Sequence, residues 1–211
     1  MKPGEWLSRA AAARYWIRQR PAPLTGDTSV ALETLRLALP AAGEQLLSML
    51  VGIVDTFLVG HLGASALAAI GLANQWVFLT NAFFGAIGVG STALIARSIG
   101  ARDFDLANRA LRQSILIAGL IGIVSTILGL AFASPAVALM GAEPETLRLG
   151  TTYLRIVAAV FVPATLMFTA NAAMRGAGDT RTPLKIMLIV NAINIVVAWT
   201  LVRGLFGLPR L

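Results

Sequence analysis

Long apolar blocks dominate the chain, at roughly 37–60, 66–96, 115–139, 149–174 and 183–202, with shorter polar stretches between them. A hydrocarbon core of about 30 Å needs about 20 helical residues at about 1.5 Å each, so every block is long enough to span as a helix. Five spans are therefore expected. The second block would be about 45 Å long as a helix, which requires that it tilt or protrude into water.

Composition agrees with that reading. The chain of 211 residues is 57% hydrophobic and 13% charged, with a mean hydropathy of +0.77, where a water-soluble domain carries about 25% charged residues. These values point to an integral membrane protein. The net charge of +7 does not imply nucleic acid, because the basic residues follow the connections. Lys2, Arg9, Arg14, Arg18, Arg20 and Arg36 precede the first block; Arg97, Arg102, Arg109 and Arg112 lie between the second and third; Arg175, Arg181 and Lys185 separate the fourth and fifth. The alternate connections are poorer in Lys and Arg, so the positive-inside rule places the N-terminus in the cytoplasm. Residues 1–34 read as a basic cytoplasmic tail, and 35–211 as the transmembrane region. The tail has no signal-peptide pattern, because no apolar core precedes a small-residue cleavage site. A short interfacial helix around Trp6, Tyr15 and Trp16 is an alternative to a disordered tail.

Few kinds of chemistry are open to such a chain. It has no cysteine and one histidine, His61, placed between the first two blocks and read as a loop residue. No nucleophile and base pair, phosphate-binding Gly-rich loop or metal-ligand spacing is present, so the chain is not read as an enzyme and no cofactor is implied.

What remains is a set of polar residues inside apolar blocks. Glu44 and Asp55 are eleven positions apart in the first block, hence on one helical face about 16 Å apart. An ionisable group at membrane depth costs about 2.5 to 3.5 kcal/mol on insertion scales, so this face is expected to line a bundle interior or an aqueous cavity. There it can exchange protons or bind cations; for Glu44, simple reach to interfacial water is an equal alternative. Asn74, Gln75, Thr80 and Asn81 in the second block, Thr165, Thr169 and Asn171 in the fourth, and Asn191 and Asn194 in the fifth are further polar candidates. Asn191 and Asn194 share a face, and amide oxygens can coordinate Na⁺; interhelical hydrogen bonding is the plainer role for most of these amides. Pro163 should kink the fourth span and is a candidate hinge. In the connection Arg175–Pro183, Thr182 is expected to cap the next helix with Pro183 at its first position. Ala86 with Gly90, and Ser125 with Gly129, read as close helix packing.

Four stretches carry a family resemblance: Leu39–Pro40 followed by Val54-Asp-Thr-Phe-Leu-Val-Gly-His-Leu-Gly63; Leu67-Ala-Ala-Ile-Gly71; Ala96-Arg-Ser-Ile-Gly-Ala-Arg102 with Ala107–Asn108; and Met174-Arg-Gly-Ala-Gly-Asp-Thr-Arg-Thr-Pro183 followed by Asn194–Ile195. In that order they resemble the multidrug and toxic compound extrusion (MATE) transporters, with the bacterial DNA-damage-inducible branch the most similar in pattern. The resemblance implies an all-α integral membrane fold in which about five transmembrane helices form most of the N-terminal lobe. It implies efflux of amphipathic or cationic compounds in exchange for H⁺ or Na⁺, in the bacterial inner membrane. Asp55 matches the family's first-helix carboxylate and Asn194 its fifth-helix partner, giving a coupling site for a proton or Na⁺. Glu44, Asn74, Gln75, Asn171 and Asn191 are candidate pathway residues. Ala198 stands where many relatives carry Asp or Asn, which favours protons over Na⁺. The implied partners are the lipid bilayer, the substrates, and a missing C-terminal lobe or a second copy. The alternatives are a transport-inactive fragment or half-transporter, and a flippase for lipid-linked saccharides.

Overall fold

The computed structural model describes residues 27–60 and 63–203. His61 and most of the basic N-terminal stretch lie outside the described residues. Six helices follow in order: α1 (Asp27–Gly60), α2 (Ala64–Gly100), α3 (Phe104–Ala138), α4 (Pro144–Ala159), α5 (Phe161–Gly176) and α6 (Arg181–Arg203). α1, α2 and α3 are long and apolar enough to cross a membrane, and so is the α4–α5 pair if its 52° bend lies within one span. α1 begins ten residues ahead of the first apolar block, through a stretch rich in Leu and Ala, good helix formers.

The described residues divide into two units, 56–178 and 27–55 with 179–203. The first holds α2 to α5. Its interior pairs alanines with fewer large residues than face outward: Ala107, Ala110 and Ala173 with Ile95 and Ile99 at one end, Phe84, Ala158 and Phe161 in the middle, and Ala73, Ala133, Val137 and Leu154 at the other. Large apolar side chains such as Phe78, Phe83, Leu116 and Leu120 are exposed instead. This inverts the pattern of a water-soluble core, and it follows when the surrounding solvent is itself apolar and close backbone approach supplies the packing. Gly129 faces Ala158 and Gly122 faces Thr165 and Val162.

Helix ends are closed by identifiable groups. At the end of α3, the carbonyls of Pro135, Val137 and Ala138 accept from the N–H groups of Leu139, Met140 and Gly141, and Ala136 accepts from Trp76 Nε1 at 3.1 Å. All four terminal carbonyls are thereby satisfied. Gly141 then takes φ 75, a left-handed conformation that suits glycine. α3 starts at Asp103, whose carboxylate accepts the Leu106 N–H at 2.9 Å.

The bend in the fourth span falls at Val160, three residues ahead of Pro163. Proline cannot donate to the Ala159 carbonyl, so the helix restarts with Pro163 in its first turn. At the break Thr126 Oγ1 of α3 donates to the Ala158 carbonyl at 3.0 Å, and within the first turn of α5 Thr165 Oγ1 donates to the Phe161 carbonyl.

The second unit holds α6 and α1 up to Asp55, which approach where a Cβ on Gly43 would lie 3.7 Å from Leu184. α6 is capped by Asp179 rather than Thr182. The Asp179 carboxylate accepts from the N–H groups of Arg181 and Thr182 and from Thr182 Oγ1. Pro183 is consequently the third helical residue, still within the turn whose N–H groups have no helical partner.

Candidate functional site

The carboxylates and amides singled out in the first and last helices belong to the second unit. α1 runs unbroken through Pro40, so Glu44 and Asp55 lie on one continuous helix. Glu44 is half-buried, with Ser48 Oγ donating to its carbonyl at 3.1 Å; Asp55 is exposed, five residues before the helix end. On α6, Asn194 is exposed and Asn191 is buried. No hydrogen bond joins Asp55 to Asn194 among the described residues. Asn191 Nδ2 is a buried donor without a partner, a group whose desolvation costs about 1 to 3 kcal/mol while it stays unmade. Among the described residues no cluster of three or more His, Cys, Asp or Glu stands ready to hold a metal ion.

The polar residues of the first unit are mostly structural. Tyr153 Oη donates to Asn74 Oδ1 at 3.4 Å, and Thr80 Oγ1 donates to the Trp76 carbonyl at 2.9 Å. Thr92 Oγ1 donates to the Ala172 carbonyl at 2.8 Å, joining α2 to α5. Thr165, Thr169 and Asn171 are buried, while Gln75 and Asn81 are exposed. Of these contacts, Tyr153–Asn74 and Thr92–Ala172 join helices, as the interhelical reading of the sequence expects. Asn171 remains the one large polar side chain buried on α5.

A cavity of about 560 Å³ that no sequence pattern announces lies between α2 and α3, lined also by Leu154 of α4 and Phe161 of α5. Its walls include Trp76, Leu79, Phe83 and Phe132, and Thr80 and Ser125 add hydroxyls. Because Gly129 permits α3 to meet Ala158, the cavity lies beside the bend. Phe83 and Phe132 are 64% and 58% exposed, so the cavity opens at the surface of the unit, and its lining suits apolar rather than polar contact.

The family model described as MatE matches residues 40–200. A protein named "Probable multidrug resistance protein NorM" from Thermotoga maritima is 30% identical over 198 residues, covering 94% of this chain and 43% of its own length. A protein of the same name from Rhodopseudomonas palustris is 35% identical over 196 residues, covering 90% of this chain and 40% of its own. Among solved structures, a MOP superfamily transporter from Pyrococcus furiosus superposes with a TM-score of 0.77 at 28% identity over 82% of this chain and 38% of that one. An outward-facing multidrug resistance MATE family transporter gives the same TM-score and identity, covering 82% of this chain and 39% of its own. The chain thus spans about two fifths of the length of the relatives it matches.

Proposed function

Because the chain belongs to the MatE family of transporters, a family of multi-pass membrane proteins, we propose that it forms the N-terminal lobe of a multidrug exporter driven by a gradient of H⁺ or Na⁺. The observation that carries this is the family match across residues 40–200, joined to relatives named for multidrug resistance. Asp55 is the coupling carboxylate: it takes up a proton or cation from one side of the membrane and releases it to the other. An ionisable group exposed on a membrane-spanning helix is accommodated only where water or a second lobe reaches it. Asn194 and the unpartnered amide of Asn191 supply hydrogen bonds or carbonyl oxygens to the same site. Glu44, half-buried on the same helix, is placed on the cytoplasmic side of that pathway, with Asn74, Gln75 and Asn171 as polar groups along the substrate route. The bend ahead of Pro163 is the moving part, since discontinuous helices line binding sites in many secondary transporters. Substrates are small amphipathic or cationic compounds, and the membrane is the bacterial inner membrane with the N-terminus cytoplasmic.

A complete cleft needs a second lobe, consistent with the two fifths of relatives' length that the chain spans; the partner is a C-terminal lobe or a second copy of this chain. The test is dye efflux from energised cells carrying the chain together with that second lobe. Asp55→Asn should abolish gradient-driven efflux with the protein still present in the membrane, and unchanged efflux would refute the role.

A further inference from the structure

Within the unit of α2 to α5, arginines gather at one end. Arg97 stands in the last turn of α2, Arg102 in the connection, Arg109 and Arg112 in the first three turns of α3, and Arg175 beside the end of α5. Gly176 packs against the Thr92 backbone, which brings the end of α5 alongside α2. The acidic residues of the same stretch are Asp103, which caps α3, and Asp105 in the first turn of α3. Arg97, Arg102, Arg109 and Arg112 are exposed.

Where these arginines sit relative to a bilayer follows from helix rise. Trp76 bonds Ala136 and Tyr153 bonds Asn74, so these residues of α2, α3 and α4 lie near one level at the opposite end. At about 1.5 Å per residue, Arg97 is about 31 Å from Trp76 along α2 and Arg112 about 36 Å from Ala136 along α3. Those lengths match a hydrocarbon core of about 30 Å, with Trp and Tyr at one boundary and arginine at the other. On α3 the register of Arg109 and Arg112 continues through Leu116, Leu120, Ile123 and Ile127, which are 68%, 64%, 48% and 60% exposed. One helical face therefore offers a hydrocarbon stripe and, where it ends, two guanidinium groups.

We propose that Arg109 and Arg112, with Arg97 and Arg102 at the same end of the unit, bind the phosphodiester headgroup of an anionic phospholipid whose acyl chains lie along the Leu116–Ile127 stripe. Guanidinium forks match phosphate oxygens bidentately, and basic clusters at a membrane boundary draw anionic over zwitterionic lipid. The stripe supplies what a free phosphate ion lacks, a surface for the chains.

The experiment is native mass spectrometry of the 211-residue chain in micelles doped equally with phosphatidylglycerol and phosphatidylcholine of identical acyl chains. Phosphatidylglycerol should be retained preferentially, by about fivefold for each arginine engaged, and the preference should shrink as salt is raised. Arg109→Gln/Arg112→Gln should lose roughly 25-fold of it, whereas Arg148→Gln/Arg155→Gln on α4 should keep it. Inorganic phosphate at the same concentration should not displace the lipid. Equal retention of both lipids by the unaltered chain, an unchanged preference in the Arg109/Arg112 variant, or displacement by phosphate would each overturn the assignment. Salt screening of the unaltered chain decides the matter if the double variant does not fold.

Discussion

Single glycines show how finely the first unit is fitted, and they separate three outcomes of one substitution. Ala in place of Gly gains about 1 kcal/mol of helix propensity wherever nothing else changes. A Cβ on Gly90 meets nothing within 4 Å, so Gly90→Ala should raise the unfolding temperature in detergent. On Gly88 it would come 2.6 Å from Cε1 of Phe168, the far end of a ring that can swing aside, so the gain and the strain should nearly cancel. On Gly176 it would lie 2.7 Å from the Thr92 carbonyl oxygen and 2.9 Å from its Cα, backbone that cannot move without shifting a helix. Gly176→Ala should therefore destabilise by about 1 to 3 kcal/mol. The order of stabilities, Gly90→Ala above Gly88→Ala above Gly176→Ala, is read by thermal unfolding followed by circular dichroism, and a reversed order would refute the packing. Sequence spacing found Gly129 in its close contact with Ala158 but misjudged Ala86 with Gly90: both are exposed, and the tight approach on α2 is made by Gly88, on the face that also carries the buried Phe84, Ser91 and Ile95. Spacing identifies neighbours along one helix. It does not say which face meets another helix when every face is apolar.

At the scale of elements, the bend between α4 and α5 was legible because a proline inside an apolar block has a defined cost: a missing N–H and a clash with the preceding turn. The partner that α3 supplies at the bend was not legible, since Thr126 looks like any membrane threonine until α3 is laid against the break. Likewise Asp179 reads as a loop residue, and its capping of α6 follows only from the chain direction after Gly178, whose φ is 84. Thr126→Val keeps shape and removes one interhelical hydrogen bond to a carbonyl that the break has loosened, so it should lower stability by about 1 kcal/mol. Pro163→Ala restores the N–H and permits a straighter span. If bending serves transport, this variant should be as stable as the parent or more so yet export more slowly, a separation read by unfolding temperature beside dye efflux. Loss of both together would mean that the proline is structural alone.

At the scale of the molecule, the blocks located the helices well, but the helices outrun them: α2 has 37 residues and α3 has 35, about 55 and 52 Å at 1.5 Å each, against a core of about 30 Å. Water-facing extensions explain why Ser65 can donate to Glu145 at the start of α4 at 3.2 Å, a polar contact of exposed residues that hydrocarbon would not favour. The candidate coupling site was legible in part. Asp55 announces itself as a charge in an apolar run, whereas the burial of Asn191 depends on how α6 packs, which no single-helix pattern encodes. Orientation can be tested because the chain has no cysteine, so each introduced thiol is the sole target for a membrane-impermeant reagent. Glu143→Cys, in the connection between α3 and α4, should label in intact cells. Ala101→Cys, in the connection between α2 and α3, should label only after the membrane is opened. Leu120→Cys, halfway along the exposed stripe of α3, should resist the reagent from both sides, because a thiol in hydrocarbon is neither hydrated nor readily ionised. Exchange of the first two results would invert the positive-inside assignment and move the arginine cluster to the outer surface. Labelling of Leu120→Cys would instead place that stripe against water, and the lipid-facing argument for Arg109 and Arg112 would fall with it.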